Sequence, residues 1–267
     1  MKDKIVLITG ASSGIGKALA YEFASRGASL VLAARRLDRL QLIKEDLPNT
    51  PIVIVKADVS IEEECQHLID QTVAHYGKID VLINNAGISM RALFADLDIK
   101  VIKKLMDVNF WGTVYCTKSA LPYLLKTKGS VVGVISIAGY VGLPARTGYS
   151  ASKYAIRGFL DALRIENLKT GLHVLVAAPG FTASEVREAA LMQDGTSQGH
   201  TPRNESKMMS AEKCAWYIAN AVKKRKREVI LTFLEGKMTV FLGKIVPGLL
   251  DKLTFSHMSK EPDSPLK

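Results

Sequence analysis

The sequence predicts a doubly wound α/β domain on a parallel sheet, closed by a C-terminal helical extension. Three observations carry that expectation. Six runs rich in Val, Ile and Leu are continuous rather than alternating, as strands covered on both faces require. Each of the first five is followed by a stretch with helical spacing, which is the βαβ rhythm of right-handed crossovers. The 267 residues are 48% hydrophobic, enough for one large core, and neither an internal repeat nor a second series of strands divides them.

Taken in order, the strands are "KIVLIT" (4–9), "SLVLAA" (29–34), "PIVIVK" (51–56), "DVLINN" (80–85), "SVVGVIS" (130–136) and "HVLVAA" (173–178). The amphipathic stretches between them are 15–26, 37–47, 61–76, 99–125 and 149–170. After Gly180 the rhythm breaks, and "MQDGTSQGHTPRNESK" (192–207) reads as a mobile loop because it is polar and rich in Gly, Ser and Thr. Ser210 is placed to cap the helix "AEKCAWYIANAVKK", and "EVILT" (228–232) is a last edge strand. These elements make residues 1–233 one α/β domain, with 234–267 an amphipathic extension and tail. In the extension, "GKMTVFLGKIVPGLLDKLTF" (236–255) mixes bulky apolar residues with lysines and is broken at Pro247 and Gly248; "SHMSKEPDSPLK" (256–267) reads as disordered.

Charge and cysteine content narrow the setting. The net charge is +10, with 12 Lys/Arg against 6 Asp/Glu from Ser206 onward. A solvated surface accounts for this, and the lysine-flanked apolar segment 236–255 is a candidate for peripheral membrane contact or an oligomer interface. The basic run "KKRKR" (223–227) lacks aromatic interleaving or a reading module, so no nucleic-acid partner is expected. Cys65, Cys116 and Cys214 are scattered, form no metal-ligand pattern, and suit reduced thiols. No apolar stretch reaches the length of a membrane span, and no signal segment opens the sequence, so a cytoplasmic location is expected, with the extension as the route to any membrane association.

The stretch "TGASSGIG" gives up side chains at Gly10, Gly14 and Gly16 between a strand and a helix. Glycines there let the backbone turn sharply and approach a pyrophosphate, while the helix N-terminus offers free N–H groups and partial positive charge. This is the phosphate-binding turn of a Rossmann domain, with Ser12 and Ser13 positioned to donate hydroxyls. At the end of the second strand, an acid would hold the ribose diol of NAD. Here Ala34 takes that place and Arg35 and Arg36 follow. Guanidinium groups bind phosphate bidentately, so the expectation is NADP(H), with Arg35 the main reader and Arg36 the second.

"YSASK" sets Tyr149 and Lys153 one turn apart on one helix face. A phenol ordinarily titrates near 10, and a nearby ammonium favours its phenolate. Lowering it by roughly three units takes about 4 kcal/mol. Ser136 ends the fifth strand at the same edge, where strand C-termini gather, so Ser136 and Tyr149 can converge on one oxygen atom. "NNAG" (84–87) ends the fourth strand there. Asn109 lies mid-helix in "DVNFWG", a poor position for Asn, and predicts a local distortion or a water site.

Together, "TGASSGIG", "NNAG", "VNFWGT", "ISIAG", "YSASK" and "PGFTAS", in order over 4–184, resemble the short-chain dehydrogenase/reductase family. In general appearance the chain is most similar to its hydroxysteroid dehydrogenase and type-seven members. The resemblance implies hydride transfer between a nicotinamide cofactor and a carbonyl or secondary alcohol. It implies Tyr149 as the acid/base, Lys153 as its partner and a holder of the nicotinamide ribose, Ser136 at the substrate oxygen, and Asn109 holding a water in a proton relay. It implies Gly10, Ser12, Gly14 and Ile15 along the phosphates, Asp58 and Val59 beside the adenine, and Asn85, Ala86 and Gly87 against the cofactor. Pro179 and Gly180 would precede the nicotinamide, with Thr182 and Ser184 bonding its amide; Ser184 stands where the family usually has Thr. A homodimer or homotetramer is implied. The substrate chamber is expected near 89–94, Tyr140, Val141, Leu143, Arg146, Leu191 and Met192, with apolar walls suited to a steroid- or lipid-like ketone. A nonenzymatic NADP-binding sensor on the same fold is the alternative, opposed by the intact Ser136, Tyr149 and Lys153.

Overall fold

A computed structural model gives the structure of the chain and describes residues 1–201 and 208–267. Seven parallel strands form one sheet in the order β3-β2-β1-β4-β5-β6-β7. They are β1 (Ile5–Thr9), β2 (Ser29–Ala34), β3 (Ile52–Lys56), β4 (Val81–Asn84), β5 (Ser130–Val134), β6 (His173–Ala178) and β7 (Glu228–Ile230). The order reverses between β1 and β4, where Val6 lies opposite Val81 and Ile8 opposite Ile83. Crossovers leave to opposite faces at that point and open a crevice beyond the strand C-termini.

The helices in chain order are α1 (Gly14–Ser25), α2 (Leu37–Asp46), α3 (Glu62–Tyr76), α4 (Ile99–Leu105), α5 (Gly112–Thr127), α6 (Thr147–Glu166), α7 (Ala211–Lys223), α8 (Thr239–Ile245) and α9 (Pro247–Ser259). Successive β1 side chains divide the core. Val6 and Ile8 join Phe23, Leu40 and Ile218 on one face, while Ile5 and Leu7 join Ile69, Cys116 and Leu160 on the other. The continuous aliphatic runs therefore fill both layers. Ser210 caps α7, its hydroxyl accepting from the Lys213 N–H at 3.2 Å, as its sequence position predicts.

Three expectations are corrected and one is met. The single helix over 99–125 is α4 and α5 joined by a π-helical stretch, Met106–Trp111, centred on the buried Asn109. The helix expected to reach Thr170 stops at Glu166. The break expected at Pro247 is present: α8 ends at Ile245 and Pro247 starts α9, at a position where its missing N–H costs nothing. The tail is docked, not disordered: Glu261 and Ser264 are buried, and the Ser264 hydroxyl donates to the Met258 carbonyl at 2.9 Å. In the polar stretch after Leu191, Met192 N–H donates to Thr196 O at 2.8 Å, and Gln193 O accepts from Asp98 N at 2.9 Å, a turn tied to the start of α4. Residues 202–207 of the loop expected to be mobile lie outside the described residues. Among the described residues no helix is long and apolar enough to cross a membrane.

Candidate active site

The glycine turn is built against the end of β4. Gly10 and Gly14 have φ of +65° and +52°, values a side chain tolerates poorly. A Cβ on Gly16 would lie 2.2 Å from the Gly10 carbonyl oxygen, so this position admits no side chain. The Thr9 hydroxyl accepts from the N–H groups of Asn85 and Ala86, each at 3.1 Å. The Asn85 amide in turn donates to the Thr9 and Gly10 carbonyls at 2.9 and 3.2 Å. Thr9 is a residue that the motif reading missed; its position just before Gly10 was the available signal.

A cleft of about 340 Å³ runs from this turn. Gly10, Ser12, Ser13, Gly14, Ile15 and Gly16 line one end with Arg35 and Arg36; Asp58, Val59, Asn85, Ala86 and Gly87 line its middle. Tyr149 and Lys153 close the other end. The shape and backbone approach fit a dinucleotide: bare glycines under the phosphate position, and two guanidinium groups at the end of β2. The two arginines differ in setting. Arg36 donates to the hydroxyls of Ser12 and Ser13 at 3.2 and 2.9 Å, and to the Glu185 carboxylate at 3.2 Å. Arg35 is 63% exposed and stands 3.7 Å from Asp58. Arg39 also binds Glu185, at 2.7 Å. Burial pushes the Glu185 carboxyl up, but the bonds from Arg39 and Arg36 outweigh it and hold it below its ordinary range.

At the inner end, α6 presents Tyr149 and Lys153 together, the Lys153 Nζ 5.6 Å from the Tyr149 ring centre. Burial drives the Lys153 ammonium down to about 8, and Nζ donates to the Val134 carbonyl at 3.2 Å. Burial pushes the Tyr149 phenol up from its ordinary value; a hydrogen bond with Ser136 and the charges of Arg146 and Arg187 pull it partly back. Ser136 itself starts the short turn Ile137–Gly139, its hydroxyl accepting from Ala138 N–H at 3.2 Å. Asn109 is buried: its Oδ1 accepts from Ile88 N–H at 2.8 Å, and its amide donates to Ile88 O at 3.0 Å and the Ser152 hydroxyl at 2.9 Å. Gly87 makes room for both, since a Cβ there would meet Asn109 Oδ1 at 3.1 Å and Lys153 Nζ at 3.3 Å.

The glycine turn, Arg35, Arg36, Asp58, Val59, Asn85, Ala86, Gly87, Tyr149, Lys153 and Ser184 line one cleft, while Ser136 and Asn109 lie outside its lining, Ser136 hydrogen-bonded to Tyr149 and Asn109 to Ile88. A family model for short chain dehydrogenases matches residues 4–194. The chain belongs to the short-chain dehydrogenase/reductase family. Members of this family are oxidoreductases that use a nicotinamide cofactor. Over 239 residues the chain is 39% identical to 11-beta-hydroxysteroid dehydrogenase 1A of Arabidopsis thaliana, a match covering 85% of this chain and 67% of the relative. It is 34% identical over 256 residues to dehydrogenase/reductase SDR family protein 7-like of Drosophila melanogaster, covering 93% and 78%. Among solved structures it resembles an alcohol dehydrogenase from the archaeon Thermococcus sibiricus complexed with 5-hydroxy-NADP, at a TM-score of 0.77 and 25% identity, covering 86% and 96% of the chains.

Pro179, Gly180 and Thr182 do not border the cleft. The Pro179 carbonyl accepts from Ile137 N–H at 3.1 Å, and the Thr182 hydroxyl bonds its own chain at Gly180 O, 3.2 Å. Beside Tyr149, Met90, Val101, Leu105 and Leu191 are buried as one apolar cluster with Tyr149 packed against it, and none of the four borders the cleft. Tyr140 is a correction. Its hydroxyl donates to Glu228 at 3.0 Å and its ring lies under the Arg157 guanidinium, so it packs toward β7 and α6, not into the chamber. Arg187, whose charge acts on Tyr149, and Glu261, paired with Arg146, escaped the sequence reading, because isolated charges carry no periodicity.

Proposed function

We propose that the chain is an NADP(H)-dependent reductase of carbonyl compounds, and of the reverse alcohols, with Tyr149 as the proton donor and acceptor. The observation that carries the reading is that Tyr149, hydrogen-bonded by Ser136, and Lys153 line the same cleft as the bare glycines of the turn and Arg36. Bound in the cleft, the nicotinamide supplies or accepts the hydride. The chain's own residues handle the oxygen and its proton. A buried phenol keeps its proton at neutral pH, the state a donor to a carbonyl oxygen requires. As that proton leaves, the Ser136 hydroxyl and the Arg146 and Arg187 charges stabilise the phenolate left behind. Ser136 also bonds the carbonyl oxygen. Lys153 adds positive charge beside the ring and holds ribose hydroxyls. Asn109, held on three sides, keeps the π-helical turn beside Gly87 and orders a water chain to Lys153.

Gly10, Ser12, Ser13, Gly14, Ile15 and Gly16 take the pyrophosphate in this reading. Arg35 and Arg36 take the 2′-phosphate, Asp58 and Val59 the adenine, and Asn85, Ala86 and Gly87 the cofactor's flank. Ser184 borders the cleft and would bond the nicotinamide amide, while Pro179, Gly180 and Thr182 lie outside the cleft's lining. The apolar cluster of Met90, Val101 and Leu191 supports a hydrophobic ketone as substrate. Residues 234–267 act as an extension of the catalytic domain at 1–233. The exposed Phe233, Phe241, Ile245, Leu249 and Phe255, set among Lys237, Lys244 and Lys252, support a contact with a second copy or a lipid surface. Phe241→Glu with Leu249→Glu should reduce either particle mass in light scattering or vesicle co-sedimentation; no change in both would remove that contact. The central test is NADPH consumption against ketones, aldehydes and quinones. Tyr149→Phe should lose turnover and keep NADPH affinity. Turnover at the native level in that variant removes the assigned donor.

A further inference from the structure

The docked tail reaches the proton-donor end of the site through buried charge. The Glu261 carboxylate lies 3.5 Å from Arg91 and 3.8 Å from Arg146. All three side chains are nearly enclosed, at 5%, 4% and 10% exposure. Arg91 also donates to the Pro262 carbonyl at 2.7 Å, so the clasp grips the tail's backbone as well as its charge. His257 stacks near Phe181, 6.4 Å between ring centres, and fastens the same segment to the stretch after β6.

The clasp is continuous with Tyr149. Arg146 immediately precedes α6, three residues before Tyr149, and its carbonyl accepts the Ser150 N–H at 2.8 Å. Arg91 is held by its N–H to Leu191 O at 2.8 Å, and Ala92 N–H bonds Ala145 O at 3.0 Å. Leu191, Met90 and Tyr149 share one apolar cluster. The charged groups facing Tyr149 are Lys153 on its own helix, Arg146 at the helix start, and Arg187 from the segment after β6. Of these, Arg146 is the one paired with Glu261. Burying guanidinium groups is costly, and a carboxylate shared between two of them offsets part of that cost while the tail is docked.

We propose that Glu261 is a positioning residue for the Tyr149 hydroxyl: through Arg146 it sets the electrostatic field at the proton donor and makes the C-terminal tail part of the site. This rests on the assignment of Tyr149 as proton donor. The sign follows from charge. Removing the Glu261 carboxylate takes a negative charge away from the neighbourhood of the phenol, which favours the phenolate. Removing the Arg146 charge does the reverse.

The experiment titrates Tyr149 in the full chain by near-ultraviolet phenolate absorbance. Subtracting the Tyr149→Phe protein isolates one of eight tyrosines. Circular dichroism reports folding at each pH, and the pH dependence of kcat/KM for carbonyl reduction provides the second reading. Glu261→Gln keeps the size of the side chain between the two arginines and removes its charge, so it should lower the Tyr149 titration by about one pH unit. Arg146→Gln should raise it, and Glu261→Asp should restore most of the native value. NADPH affinity should hold in Glu261→Gln, because Glu261 does not border the cofactor cleft. If that variant fails to fold, Arg91→Met with Glu261→Gln removes the unbalanced buried charge while leaving the groups that act directly on Tyr149, and the same downward shift is expected. An unmoved titration in a folded variant, or shifts of the same direction for Glu261→Gln and Arg146→Gln, would overturn the role. Turnover in Tyr149→Phe would instead remove the donor assignment and leave these titration shifts intact, so the two failures are separable.

Discussion

Arg35 and Arg36 are adjacent in sequence and unlike in setting. The β2 pleat sends Arg35 toward solvent and Asp58, while Arg36 turns back across the serines of the glycine turn. Sequence reading ranked Arg35 first because it directly follows the position of the absent acid. Geometry favours Arg36, whose guanidinium already bridges Ser12, Ser13 and Glu185. A ribose phosphate placed there gains a charge-assisted bond worth roughly 1.5–3 kcal/mol. Arg36→Ala should therefore weaken NADPH binding by about tenfold or more while changing NADH little, measured by calorimetric titration of each nucleotide. Arg35→Ala should cost less, since its charge is solvated and partly committed to Asp58. Equal losses for NADPH and NADH in Arg36→Ala would place the phosphate elsewhere.

The π-helical join between α4 and α5 explains why one helix became two. Asn109 is a weak helix former, yet here its side chain satisfies both the N–H and the carbonyl of Ile88 and a hydroxyl on α6. The widened turn lets that amide reach sideways, and π-helical insertions often mark such sites. The sequence flagged the position but could not show the shape, because hydrophobic spacing runs through the insertion unbroken. The strands were legible almost to the residue, since burial on both faces demands unbroken aliphatic runs. Cut off from its amide partner, the partly buried Ile88 backbone would lose both of these hydrogen bonds. Asn109→Ala should therefore destabilise the fold by about 2–4 kcal/mol in urea unfolding. A cost below about 0.5 kcal/mol would mean that water replaces the side chain without loss.

At the scale of the whole molecule, the docked tail and the buried lysine are what the sequence hid. Glu261 meets Arg91 across 170 positions, a contact that no local pattern announces. The Tyr149–Lys153 pair was legible as a motif, but its energetic consequence depends on burial. Lys153 is 4% exposed, and its ammonium falls from the ordinary 10.5 to about 8. Below pH 8 the lysine is charged in both folded and unfolded chains, so the folded state carries the full cost of burying that charge. At roughly 1.4 kcal/mol per pH unit the cost is about 3 kcal/mol. Between about 8 and 10.5 the unfolded chain binds the proton and the folded one does not, so the penalty fades as pH rises. Lys153→Met keeps most of the stem's packing and removes the charge, at the loss of one bond to Val134. Urea unfolding of the cofactor-free variant at pH 7 should show a gain of about 1–3 kcal/mol, shrinking toward zero near pH 10, while carbonyl reduction is lost. A loss of stability at pH 7, or a gain that does not shrink with pH, would mean that the buried ammonium is stabilised by the fold rather than tolerated for the site.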